Sequence, residues 1–201
     1  MTLHRRRLTF ALVAALSAGG VALAQTQPRL ETAVFAGGCF WSMEHALEDL
    51  PGVVSAVSGY TGGRVEHPTY EQVVTETTGH REAVKVTFDP ARISYAKLVD
   101  AYFHATDPTD DGGQFCDRGE SYRPAIYVSP AQRATAEQVK AQVAAELKGK
   151  RVVTPILPAQ TFWPAEAYHQ QFTKKNPLRY QAYFIGCGRG PALKAVWAGA
   201  R

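Results

Sequence analysis

Cysteine is scarce in this chain: three in 201 residues, Cys39, Cys116 and Cys187. None sits in a Cys-x-x-Cys pair or beside histidines at zinc spacing, which excludes the usual structural metal site. The odd count also excludes complete pairing within one chain, so in an oxidising compartment at least one thiol stays free or cycles. Excess positive charge is scarce too. The full chain carries 22 basic and 18 acidic residues, but three of the basic ones are Arg5, Arg6 and Arg7. Without residues 1–24 the balance is 19 to 18, a formal charge of about +1, too even for the concentrated basic face that a nucleic-acid partner needs. There are no internal repeats and no low-complexity tract beyond residue 24, so the chain is not a solenoid. Long apolar runs are limited to Leu8–Ala24, which follows the three arginines and ends in Ala22-Leu23-Ala24 before Gln25. Residues 1–24 therefore read as a cleaved bacterial export signal, and Ser17, Gly19 and Gly20 dilute the run against a retained anchor. What remains, 25–201, is 177 residues, enough for one domain with a proper core. The expectation is an exported, periplasmic, monomeric protein.

What is present centres on Gly37-Gly38-Cys39-Phe40-Trp41. The apolar stretch Thr32–Ala36 before it reads as a buried strand. After it, Phe40, Met43, Leu47 and Leu50 recur at helical spacing with Glu44, Glu48 and Asp49 between them. Cys39 falls where strand becomes helix, at the positive end of the helix dipole and beside unpaired N–H groups, which favours thiolate over thiol. The glycines permit the tight turn and are expected to leave the sulfur uncovered. The competing reading is an inert buried cysteine.

Further strands are expected at Val53–Tyr60, Glu82–Phe88, Arg123–Val128 and Val152–Leu157. Ser94 opens a helix with apolar Tyr95, Leu98, Val99, Tyr102 and Phe103 on one face, and Ser129-Pro130-Ala131-Gln132 is a capping box opening a second that ends at Gly149. Glu166–Lys174 reads as a short helix, with Trp163-Pro164 a packed turn before it. Thr106–Ser121 is a long loop of the kind that carries function. The tail Asn176–Arg189 reads as irregular, with a final turn or two over Pro191–Ala198. The fold class is α+β, a two-layer sandwich with a mixed β-sheet covered by helices. Period two along 82–88 puts Glu82 on the face of Val84, Val86 and Phe88, where lost hydration raises a carboxyl's pKa and makes it a proton donor. Tyr122 shares a face with Pro124, Ile126 and Val128. A reactive thiol, a protonated carboxyl, phenols and an aromatic pair suit a small substrate with one hydrogen-bond-accepting oxygen, an electrophilic atom and an apolar substituent.

Six segments in order, spanning roughly residues 32–190, carry a family resemblance. They are Gly37-Gly38-Cys39-Phe40-Trp41, Gly59-Tyr60-Thr61-Gly62-Gly63, Pro68-Thr69-Tyr70, Thr78-Gly79-His80-Arg81-Glu82, Asp117-Arg118-Gly119-Glu120-Ser121-Tyr122-Arg123 and Ala165-Glu166-Ala167-Tyr168-His169-Gln170. Together they resemble the type A peptide-methionine sulfoxide reductases. The resemblance implies a ferredoxin-like core, no cofactor or metal, and reduction of methionine S-sulfoxide, free and in oxidised proteins. It implies that Cys39 attacks the sulfoxide sulfur and becomes a sulfenic acid, with Glu82 protonating or polarising the oxygen. Tyr70 and Tyr122 would donate hydrogen bonds to that oxygen, Asp117 would organise the site, and Phe40 and Trp41 would hold the methyl group. A thioredoxin-like donor would recycle the enzyme.

Position 42 is Ser, where some members carry a second cysteine, so the resolving thiol comes from elsewhere. Cys187, between Gly186 and Gly188, is expected to approach Cys39 on a flexible tail; Cys116, beside Asp117, is the alternative. A static Cys116–Cys187 disulfide is the bland reading. Two other readings remain: a cysteine hydrolase or acyltransferase pairing Cys39 with one of His45, His80, His104 or His169, and a non-enzymatic exported domain stapled by one disulfide.

Overall fold

The computed structural model describes residues 29–200; the expected export signal lies outside them. Strand β1, Glu31–Ala36, ends at the double glycine, and helix α1, Phe40–Glu48, starts directly after Cys39. Strand β2, Val53–Thr61, short helix α2, Tyr70–Val73, and strand β3, Arg81–Phe88, follow. Helix α3, Tyr95–His104, is capped by Ser94, whose side chain accepts from the Lys97 N–H. The long loop contains a small hairpin, β4 (Gly113–Gln114) and β5 (Asp117–Arg118), and a 3-10 turn over Glu120–Tyr122. Strand β6, Ala125–Val128, and helix α4, Pro130–Glu146, come next, with the expected capping box at Ser129 and Gln132. Strands β7 (Ile156–Pro158) and β8 (Trp163–Pro164) and helices α5 (Phe172–Lys175), α6 (Pro177–Gly186) and α7 (Arg189–Trp197) complete the chain.

The main sheet has the order β7-β6-β1-β3-β2-β8. Its centre, β6-β1-β3-β2, is antiparallel throughout and wound β1-α1-β2-β3-α3-β6, which is the ferredoxin-like arrangement; β7 joins β6 in parallel and makes the sheet mixed. Alternation along β3 works as expected. Val84, Val86 and Phe88 are buried in the core with Phe40, Met43 and Leu47 of α1 and Leu98, Val99 and Tyr102 of α3. Ala83 and Ala125 lie with Tyr127 in a small cluster covered by Phe162. The Tyr102 hydroxyl donates to the Ala36 carbonyl at 2.7 Å, and its ring stacks on Phe35, so α3 pins the end of β1 just before the glycine turn.

Four stretches differ from expectation. The strand expected at Val152–Leu157 is confined to Ile156–Pro158. Upstream of it the Val153 N–H bonds the Pro108 carbonyl and Lys140 bonds the Thr154 carbonyl, while Pro155 has no N–H to offer a ladder. The helix expected from Glu166 begins only at Phe172, because Gln171 adopts a left-handed φ of 52°. Trp163-Pro164, read as a packed turn, pairs with the edge of β2, a place where proline is tolerated. The tail is the largest correction: it is helical. Pro177 sits in the first turn of α6, and Tyr180, Tyr183 and Phe184 form an i, i+3, i+4 aromatic set. The segment read as a flexible glycine tail is a helix end, with the Cys187 N–H bonded to the Tyr183 carbonyl and Gly188 turning the chain at φ 64°.

Candidate active site

Cys39 is the N-cap of α1, and its carbonyl accepts the Ser42 and Met43 N–H groups at 3.1 and 3.3 Å. Its side chain makes no cap bond. Glu82 takes that role instead: its Oε2 accepts the Phe40 N–H at 2.9 Å. The carboxyl of β3 is thereby fixed at the helix N-terminus one residue from the thiol. The turn before Cys39 needs glycine at position 38. Its φ is +78°, and a β-carbon there would come within 2.6 Å of Gln114 Cβ.

Both groups are buried, with Cys39 7% and Glu82 2% exposed. Burial pushes the Glu82 carboxyl up to about 8, against the opposing pull of the Phe40 N–H; nearby Asp117 and Glu76 raise it further. It is therefore protonated at neutral pH. Burial also pushes the Cys39 thiol far up, helped by the charges of Glu82 and Asp117, while the Trp41 N–H and the Tyr183 hydroxyl act the other way. The expectation of an uncovered, low-pKa sulfur is thus overturned. The helix terminus does point at the site, but desolvation outweighs it and the resting form is the thiol.

Tyr70 begins α2 and donates its backbone N–H to Glu166 at 2.8 Å, while Tyr60 donates its hydroxyl to the other Glu166 oxygen at 2.9 Å. The Tyr70 and Tyr122 hydroxyls neighbour one another beside Glu82; burial raises both phenols, with Glu82 as the second cause, and they stay donors. Asp117 accepts the Tyr183 hydroxyl at 2.5 Å, and burial raises its pKa. The structure thus brings together Cys39, Glu82, Tyr70, Tyr122 and Asp117, from α1, β3, α2, the 3-10 turn and β5. Phe40 is buried against Tyr60 and His169 at centroid distances of 5.9 and 4.8 Å. Trp41 stacks flat on Phe172 at 3.6 Å.

One residue deserved more weight than its type suggested. His169 is buried, and its Nδ1 accepts the Trp41 indole N–H at 3.1 Å, which leaves the proton on Nε2. That Nε2 has no partner, burial lowers the ring's pKa, and the ring packs on Tyr70 at 4.7 Å. Its only signal in the sequence was membership of the Ala165–Gln170 segment.

Cys116 and Cys187 form a disulfide, the pairing the sequence left as the static alternative, and Cys39 is the free cysteine. The Cys116 sulfur lies 3.7 Å from Asp117 Oδ1, so the bridge borders the site. Among the described residues no histidine bonds Cys39, which removes the hydrolase pairing: His80 is held by the Gly63 N–H and the Val65 carbonyl, and His45 and His104 are exposed. Two side-chain groups have metal-like spacing. In Cys116-Asp117-Cys187 the sulfurs are spent in the disulfide, and in His45-Glu48-Asp49 both carboxylates pair with Lys174 at 2.9 and 3.3 Å.

The sequence profile described as "Peptide methionine sulfoxide reductase" matches residues 31–200. "Peptide methionine sulfoxide reductase MsrA 2" of Caulobacter vibrioides is 55% identical over 96% of this chain and all of its own length. MsrA of Listeria innocua is 51% identical over 87% of this chain and 99% of its own. In three dimensions the chain resembles methionine sulfoxide reductase A of Corynebacterium diphtheriae, with a TM-score of 0.67 and 36% identity over 76% of this chain and 77% of that one. It also resembles reduced Mxr1 of Saccharomyces cerevisiae, with a TM-score of 0.70 and 28% identity over 74% and 87%. A free buried thiol faced by a protonated carboxyl and two phenols, on this topology and with these relatives, places the chain in the peptide methionine sulfoxide reductase family.

Proposed function

We propose that the enzyme reduces methionine S-sulfoxide, free and in oxidised proteins, with Cys39 as the attacking thiol and Glu82 as the proton donor. The observation that carries this is the Glu82 carboxyl, protonated at neutral pH and bonded to the N–H of the residue after Cys39. The sulfoxide oxygen enters between Glu82 and the Tyr70 and Tyr122 hydroxyls. Those donors stabilise the negative charge that oxygen gains. Glu82 gives its proton to the oxygen, and the carboxylate it becomes accepts the proton of the Cys39 thiol. The Cys39 sulfur bonds the sulfoxide sulfur; the sulfur–oxygen bond then breaks as the protonated oxygen passes to the Cys39 sulfur, and the transient sulfur–sulfur bond breaks with its electron pair going to the methionine sulfur. Methionine leaves reduced by two electrons, and Cys39 is oxidised by two, to the sulfenic acid. A thiol that is neutral at rest suits this sequence, since the proton it must lose has a destination only once substrate has discharged Glu82. Phe40 and Trp41 supply the aromatic wall for the methyl group, and Asp117 with Tyr183 closes the opposite side.

In the second half, the Cys187 thiol attacks the Cys39 sulfenic acid, releasing water and forming Cys39–Cys187. Cys116 then displaces Cys39, leaving the Cys116–Cys187 bridge and a free Cys39, the state seen here. Attack by Cys116 first is the alternative order. A thioredoxin-like dithiol reduces the bridge; Mxr1 has been solved in complex with Trx2. The bridge also supports export to the periplasm by the arginine-led leader, since disulfides persist in oxidising compartments. The test is mass spectrometry of the pre-reduced chain after one equivalent of methionine sulfoxide. A Cys39–Cys187 link trapped in Cys116→Ser is the expected product. A Cys39–Cys116 link in Cys187→Ser, with none in Cys116→Ser, reverses the order; a Cys116–Cys187 bridge that survives turnover untouched makes it static.

A further inference from the structure

Arg189, the first residue of α7, is 2% exposed, and neither the fold nor the reaction so far explains why a guanidinium is buried there. Burying a cation is costly unless something answers its charge. Its Nη2 donates to the Ala105 carbonyl at 2.9 Å, and the guanidinium lies over the Phe115 ring at 4.6 Å. Neither partner is anionic. Its Nη1 is buried with no hydrogen-bond partner, and it lies 3.7 Å from where a β-carbon on Gly38 would stand, directly before Cys39. Arg189 and the Phe115 ring beneath it are tied together. Phe115 precedes Cys116, Arg189 follows Cys187 by two, and the disulfide joins the two cysteines. The cation is therefore fixed beneath the turn that presents the thiol.

We propose that Arg189 is a positioning residue for the reaction, the fixed positive charge that favours anionic sulfur at Cys39 as the thiol gives up its proton and attacks. This rests on the reading of Cys39 as the attacking group. The other groups facing Cys39 are Glu82 of β3, Asp117 of β5, Tyr70 of α2, Tyr122 of the 3-10 turn, and Tyr180 and Tyr183 of α6. With Glu82 protonated, its carboxyl adds no negative charge beside the sulfur. The Asp117 carboxyl, half-buried, is itself drawn down by Arg189. Burial lowers the Arg189 pKa, and the negative charge that Tyr183, Cys39, Tyr180 and Asp117 can carry opposes it, so the guanidinium faces the same cluster as the thiol.

The test uses the full chain under non-reducing conditions, where Cys39 is the free thiol, and reads the rate of its alkylation by iodoacetamide against pH, located by peptide mapping. Arg189→Gln keeps a donor for the Ala105 carbonyl and removes the charge; Arg189→Lys keeps the charge and loses the fork. A unit charge at this range in a partly desolvated site changes the thiolate fraction by about tenfold or more. Arg189→Gln is expected to slow alkylation by that factor at a fixed pH of about 8, and Arg189→Lys to recover most of it. The kcat for sulfoxide reduction should fall in parallel, with KM little changed. Wild-type alkylation in Arg189→Gln overturns the proposal, as does equal slowing in both variants, which would mark a packing role. If neither variant folds, the unmutated chain carries the test. The Arg189 guanidinium nitrogen resonance should follow pH with the same profile as Cys39 alkylation, and this response should vanish in Cys39→Ser; a resonance indifferent to that change refutes the idea. Alkylation needs no sulfoxide, so retained reductase activity in Cys39→Ser would sink the assignment of the thiol without deciding the role of the arginine.

Discussion

Replacing Glu82 with Gln should change how stability depends on pH, and the sign can be worked from the structure. The carboxyl is buried and its folded pKa is raised from the ordinary 4.5 to about 8. Below about 4.5 it is protonated in both the folded and unfolded chain, and ionisation contributes nothing to the difference. Between about 4.5 and 8 the folded state binds more protons, so stability falls as pH rises; above about 8 the full penalty is in place. At about 1.4 kcal/mol per pH unit, the loss attributable to this one group is roughly 5 kcal/mol, a large share of the 5–15 kcal/mol typical of a domain. Gln has the shape of the neutral acid and can still accept the Phe40 N–H. Urea unfolding of Cys39-alkylation-free protein at several pH values from about 5 to 9 should show the wild type losing stability steeply, and Glu82→Gln losing several kcal/mol less. Other titrating groups are common to both proteins and cancel in the comparison. Parallel curves for the two would mean that Glu82 is ionised or solvated in the native state, and the acid role would go with it.

The same group is expected to set the activity profile: the rate with methionine sulfoxide should decline as pH passes about 8 and Glu82 loses its proton, and Glu82→Gln should be slow at neutral pH without that inflection. Gly38→Ala should destabilise by about 1–3 kcal/mol in a denaturant melt, because φ is +78° and the added carbon meets Gln114 Cβ at 2.6 Å; a neutral substitution would show that the turn relaxes. His169→Phe removes the acceptor for the Trp41 indole and the free Nε2 donor, and should raise KM more than it lowers thermal stability, as read from paired kinetics and melting curves. Reducing the Cys116–Cys187 bridge, which closes a loop of 71 residues in sequence separation, should cost up to about 4 kcal/mol in the chain-entropy picture; a melt unchanged by dithiothreitol contradicts it.

Where alternation or spacing set a side chain's direction, the sequence reading carried through. Period two aimed Glu82 into the core beside Val84, and the i, i+3, i+4 sets placed α1 and α3 on the sheet. The capping box at Ser129, the Ser94 cap and the Gly37-Gly38 turn were equally legible, because each depends on local chemistry. Burial was not. The sulfur of Cys39 looked exposed because a glycine turn and a helix end imply access, yet Tyr183 reaches it, and Gln114 and Arg189 pack against the Gly38 turn before it, from segments more than 70 residues away in sequence. The tail misled for a similar reason. Three glycines around Cys187 suggest looseness, but the aromatic period of Tyr180, Tyr183 and Phe184 packs α6 onto α1 and leaves the glycines as a helix end. Short edge strands such as β8 exist only because β2 offers a ladder, and nothing local announces that.

The central claim is tested most directly by a single turnover of the chain with its Cys116–Cys187 bridge intact, so that no thiol of its own can resolve the product. One equivalent of methionine sulfoxide is added with dimedone present, and methionine release and the modified peptide are quantified. The account predicts one methionine per chain and one dimedone adduct, on the peptide carrying Cys39. Methionine formed without an adduct at Cys39, or with the adduct on another residue, would contradict it.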